Sequence, residues 1–111
     1  MDRIEQECRE LVDPGGLADP SHEAAETLIL RMRGYLQLLM AAVEEHAERR
    51  PPTDALGART RYLAHDTRLL LEEVPDACVV PRMYGFVLRC ARCALDLVEC
   101  LRECDPLAAS Q

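Results

Sequence analysis

The chain has 111 residues, 49% of them hydrophobic, and a net charge of −7 with thirteen basic residues. That length holds one domain with a core of its own and excludes a second. The acidic balance argues against nucleic acid or an anionic membrane as partner, since either demands a basic face, and no basic cluster exceeds Arg49-Arg50.

Aromatic residues are confined to Tyr35, Tyr62, Tyr84 and Phe86, isoleucine to Ile4 and Ile29, and leucine and alanine dominate. Such a composition favours helices over strands. The N-terminal MDRIEQECREL alternates charged with apolar residues and has no signal-peptide core. No run approaches the ~18 apolar residues that cross a bilayer. A cytoplasmic location follows as the expectation, and there six cysteines are read as thiols rather than three disulfides.

Residues 2–12 form a short helix with Ile4, Cys8 and Leu11 on one face, broken by Asp13-Pro14-Gly15-Gly16. A helix this short persists only when docked, over one end or one groove of the rest. A loop then runs to Pro20. Ser21 caps the first long helix, with Glu23 and Glu26 at the positive end of its dipole. Its stripe is Ala25, Leu28, Ile29, Met32, Tyr35, Leu36, Leu39 and Val43, and Arg49-Arg50-Pro51-Pro52 ends it. Leu30 and Leu38 lie off that stripe. Gly34 lies mid-helix, either tolerated on the outer face or marking close approach by another backbone.

Thr53 is the expected cap of the second long helix, which runs to about Val74 before Pro75. Its expected buried face is Leu56, Leu63, Ala64, Thr67, Leu70, Leu71 and Val74, with Thr60 completing the row. Cys78 falls in the following connection, and Pro81 suits the first turn of the third long helix. That helix reaches Cys104. Written as heptads, Met83, Cys90, Leu97 and Cys104 occupy d and Val87, Ala94 and Leu101 occupy a. Phe86, Cys93 and Cys100 flank this seam on one side, and Tyr84, Ala91 and Val98 on the other. Leu88 and Leu95 extend it further, leaving charge to a narrow strip from Arg82 to Glu103.

The pattern predicts an all-α fold, an up-down-up bundle of three long helices with a short N-terminal helix. In domain terms, residues 1–20 are the short helix and loop, 21–105 the bundle and 106–111 a frayed tail. So much apolar girth on the third long helix implies a second contact face of Tyr84, Leu88, Ala91, Leu95 and Val98. A protein partner or a homo-oligomer would cover it.

Four cysteines share the third long helix in the spacing C-x2-C-x6-C-x3-C, within an arc of ~80° at ~100° per residue. Cys90 and Cys104 are ~21 Å apart along the axis, so the four cannot surround one metal. They form two pairs, Cys90/Cys93 and Cys100/Cys104. Each pair is half of a zinc site or the whole of a two-coordinate copper(I) site, because thiolates select soft ions. Buried thiols also pack as small hydrophobes, so that the chain needs no cofactor at all. Redox chemistry is disfavoured mid-helix, away from the terminal amides that acidify a thiol.

His22, His46 and His65 sit in no ligand pattern, and a di-iron carboxylate bundle is excluded because Glu-x-x-His is absent. A phosphate-cradling glycine loop, G-x-S-x-G and H-E-x-x-H are absent as well. The chain reads as a non-enzymatic protein.

With the segments LRMRGYLQLLMAAVEEHAERRPP, LGARTRYLAHDTRLLLEE and LRCARCALDLVECL, the chain resembles, over roughly residues 28–103, a family of small helical actinobacterial proteins of unknown function. Its members are often labelled natural-product biosynthesis proteins. The resemblance implies a setting beside secondary metabolism and carries no catalytic residues. In its C-x2-C and C-x3-C pairs the last helix is also similar to the cysteine-lined four-helix copper-storage proteins. Those line several helices with cysteine, whereas here the other two long helices have none.

Overall fold

Four helices make up the architecture in a computed structural model that describes residues 2–13, 21–51, 53–75 and 79–104. They are α1 (Asp2–Val12), α2 (His22–Glu48), α3 (Ala55–Glu72) and α4 (Val80–Cys104). The expected turn over residues 14–20, Cys78 and the tail 106–111 lie outside the described residues. The fold is all-α, as the periodicity predicts, and no strand occurs among the described residues.

Local chemistry accounts for the helix ends. Ser21 Oγ accepts the amide N–H of Ala24 at 3.1 Å, starting α2 as expected. The cap of α3 is Asp54 rather than the expected Thr53, and its carboxylate accepts the Leu56 amide at 3.2 Å. The same carboxylate takes Arg50 Nη1 at 2.7 Å. A charged acceptor serving both the helix start and the preceding arginine outcompetes a neutral hydroxyl one residue earlier. At its other end α3 stops at Glu72, two residues short of expectation, which leaves Val74 exposed instead of buried.

α2 and α4 share the most extensive contact, with α3 packed chiefly on α2 and α1 chiefly on α4. Direction along each pair follows from named contacts. Arg61 reaches the carbonyls of Ala47 and Arg50 while Arg68 meets Glu44, so α3 runs antiparallel to α2. Glu73 pairs with Arg89 and Arg59 with Glu103, so α4 turns back along α3. The core is formed by Met32, Leu36 and Val43 of α2 with Met83, Val87, Leu97 and Val98 of α4, all fully buried.

α3 buries Gly57, Thr60, Ala64, Thr67 and Leu70, while the expected Leu56, Leu63 and Leu71 are only half-buried. The helix presents its small residues inward. A Cβ on Gly57 would lie 3.2 Å from Arg50 Cβ and 3.5 Å from the Pro51 carbonyl oxygen, so the α2–α3 corner is closed tightly there.

α1 docks with Cys8 fully buried, its Sγ 4.0 Å from Met32 Sδ. Ile4, Leu11 and Val12 pack against the core beside it. Charged contacts fasten its rim: Glu5 to Arg102, Glu7 to Arg31 at 3.3 Å, and the Tyr35 hydroxyl donating to Glu7. An 11-residue helix, marginal on its own, is held by burial on two longer ones.

Candidate functional site

The face of α4 expected to await a partner is largely covered within the single chain. Ala91 and Val98 are 0% and 1% exposed, Tyr84 is 8% exposed, and Leu88 and Leu95 are half-buried. α1 covers one end, where Glu5 and Arg9 lie beside Leu95 and Val98, and at the other end Tyr84 donates its hydroxyl to the carbonyl of Ser21, the cap of α2, at 3.4 Å. The apolar girth of α4 is therefore satisfied by three neighbours, and Tyr84, Ala91 and Val98 are core residues rather than a free surface. The physical reason is that α1 supplies the third wall.

Three thiols of α4, those of Cys93, Cys100 and Cys104, meet two threonines of α3. Thr67 Oγ1 is 3.2 Å from Cys93 Sγ. One heptad away, Thr60 Oγ1 is 3.4 Å from Cys100 Sγ and 3.8 Å from Cys104 Sγ. Each threonine donates its own proton to a carbonyl of its helix, Thr67 to Leu63 at 2.7 Å and Thr60 to Leu56 at 2.6 Å. With that proton on the carbonyl a thiol acts as weak donor to the threonine oxygen, and the hydroxyl can turn instead to a thiolate. All five described cysteines are free.

Burial holds the thiols of Cys8, Cys90, Cys93 and Cys100 protonated. It pushes Cys90 up to about 12, with the neighbouring Cys93 adding to the effect. Cys8, buried beside Met32, is pushed up to about 11. Cys93 and Cys100 are likewise raised, mainly by burial, with Thr67 and Thr60 opposing it through hydrogen bonds that favour the thiolates. Cys104, half-buried at the end of α4, lies within hydrogen-bonding reach of Cys100. The pairs seen in the sequence thus differ: Cys100 and Cys104 converge on one oxygen, whereas Thr67 engages Cys93 next to the deeply buried Cys90. Among the described residues no three His, Cys, Asp or Glu side chains converge as a metal site. A tetrahedral zinc site, which takes four donors, is not assembled there.

An open groove of about 630 Å³ between α2 and α3 is lined by Glu44, Glu48, Arg50, Arg61, His65 and Arg68. Its cations are already engaged, Arg68 with Glu44, Arg50 with Asp54, and Arg61 with two main-chain carbonyls. His65 is exposed on its edge. On α4, Arg33 of α2 lies over the Phe86 ring at 5.6 Å and donates to the Glu73 carbonyl at 2.8 Å, a structural use of the cation.

Apolar surface remains elsewhere. Leu30 and Leu38 on α2 are 72% and 66% exposed, and Tyr62 and Leu69 on α3 are exposed as well. Leu30, Gly34 and Leu38 step by four along the outward side of α2, opposite the buried Met32, Leu36 and Val43. A Cβ at Gly34 would meet nothing within 4 Å. A knob, a gap and a knob therefore face outward in one row.

No described helix is long and apolar enough to cross a membrane. Residues 2–106 match the model of a family described as "Family of unknown function (DUF6415)". No curated protein and no solved structure matches the chain.

Proposed function

The chain belongs to this family of unknown function, and we propose that it works without catalysis, as a self-associating helical module. Its contact row is Leu30, Gly34 and Leu38 of α2. The observation that supports this reading is the exposure of both leucines on one side of open space at Gly34. Large apolar side chains left in water on one helix face are what an interface would remove from it.

A second copy is the proposed occupant because the row is self-complementary. About a two-fold axis at Gly34, each copy's leucines flank the other's glycine, and the missing Cβ lets the backbones approach. α2 is ~40 Å long at ~1.5 Å per residue, which gives such a crossing room to recruit neighbouring side chains. A cytoplasmic setting and an accessory place in secondary metabolism belong to the same proposal and rest on the sequence resemblance. No catalytic residue is assigned.

The test is sedimentation of Leu30→Glu and Leu38→Glu proteins beside the parent. Both positions are exposed, so the variants are expected to stay folded and to sediment as monomers where the parent sediments as a dimer. Equal masses for parent and variants would reject the row as the interface.

A further inference from the structure

We propose that Cys100 and Cys104 together hold one soft monovalent metal ion, copper(I) being the probe, in a two-coordinate site backed by Thr60. The proposal is independent of association, since it concerns the α3–α4 seam and not the outward row of α2.

Three features single out this pair. Cys100 Sγ and Cys104 Sγ approach the same oxygen, Thr60 Oγ1, at 3.4 and 3.8 Å, so both sulfurs already point to one place. Cations stand close by. Arg50 donates to the Cys104 carbonyl at 3.5 Å, and Arg59, paired with Glu103, lies near enough to Cys100 for the two to interact electrostatically. Access comes from Cys104, which is half-exposed while Cys100 is fully buried.

The donor set decides the class of ion. Two thiolates with no third His, Cys, Asp or Glu converging among the described residues fall short of the four donors of zinc. Soft thiolate sulfur selects copper(I) among the ions of comparable charge, and a closed-shell monovalent ion accepts two ligands. Cys90 and Cys93 lack this arrangement: Cys90 is buried at mid-helix and Thr67 meets Cys93.

Binding is a proton-for-metal exchange. Two neutral thiols and one monovalent cation give a dithiolate complex of charge −1 and two protons released to solvent. Thr60 is able to swing its hydroxyl from the Leu56 carbonyl to a bound sulfur, acting as a positioning residue. Arg50 and Arg59 offset the complex's negative charge.

The experiment is an anaerobic copper(I) titration of the reduced full chain against a coloured copper(I) chelator, with proton release followed in weak buffer. The parent is expected to take one equivalent with two protons released. Cys104→Ser or Cys100→Ala should lower the affinity on the order of 100-fold, and Thr60→Val roughly tenfold, as loss of a ligand and of its supporting group should. Cys90→Ala with Cys93→Ala should leave the first equivalent unchanged. Should a cysteine variant unfold, the parent itself provides the second readout: silver(I) should protect Cys104 from alkylation. The proposal is overturned if the Cys104→Ser protein competes for copper as well as the parent does, if the first equivalent follows Cys90 and Cys93, or if Cys104 alkylates equally fast with silver present.

Discussion

Two helical glycines separate intrinsic propensity from packing. At Gly34 an added Cβ meets nothing within 4 Å, so Gly34→Ala in a single copy should recover the helix-propensity difference of about 1 kcal/mol. For a domain of this size that is a rise in Tm of roughly 4 °C. At Gly57 the propensity gain is at most the same. The new methyl, however, would sit 3.2 Å from Arg50 Cβ and 3.5 Å from the Pro51 carbonyl, where α3 leaves the corner. Overpacking of that kind costs about 1–3 kcal/mol, so the net change for Gly57→Ala runs from neutral to about 2 kcal/mol destabilising. The assay is urea unfolding followed by circular dichroism, with a reducing agent present and the protein dilute enough to be monomeric. Equal stabilisation by the two substitutions would refute the tight α2–α3 corner. No gain at Gly34 would mean that its outward side is covered within one copy.

The seat of α1 on α4 gives a second expectation. Val98→Asp places an unpaired charge at a position 1% exposed, costs about 3–5 kcal/mol and frees α1. The check is hydrogen exchange, in which α1 amides should exchange faster in the variant than α2 amides. Acid should loosen the rim contacts. Arg102 holds Glu5 below its ordinary value of 4.5, Arg50 does the same for Asp54 and Arg89 for Glu73. Their stabilising contribution is complete above the ordinary carboxylate range and is lost as pH falls through the lowered folded values. The urea midpoint should therefore drop between pH 6 and pH 3, and drop less in an Arg102→Ala protein. Alkali acts on the thiols in the same sense for a different reason. Unfolded cysteines ionise near 9.0, whereas Cys8 and Cys90 resist ionisation until about 11 and about 12, so stability should decline as pH rises past 9.0. A thiol reagent at pH 8 should label Cys104 quickly, and Cys8 and Cys90 only as fast as the fold opens.

Much of this fold is legible in sequence because its determinants are local. Ser21, the α2 stripe and the Arg-Arg-Pro break define α2 within one residue at each end, and Ile4, Cys8 and Leu11 announce that α1 has one sticky side. Where α1 goes is another matter. Its seat depends on Cys8 meeting Met32, Glu5 meeting Arg102 and Tyr35 meeting Glu7, contacts between distant residues that periodicity cannot register. The abundance of apolar residues around α4 is real, yet the neighbour that absorbs it comes from the same chain. Likewise the thiol arc of α4 shows in the spacing, but the threonines opposite it do not. Thr60 and Thr67 on α3 and Cys93 and Cys100 on α4 repeat at the same seven-residue interval, a matching that becomes meaningful only once the two helices are known to run antiparallel. Asp54 over Thr53 as the cap of α3 was decided by Arg50, a partner four residues back.

The most direct test of the central proposal is the mass of the unmodified, reduced protein by light scattering across a concentration series. A dimer that dissociates on dilution is expected, with Leu30 and Leu38 withdrawn from water in it. A monomer that persists into the high micromolar range would contradict the assignment of α2's outward row as an interface.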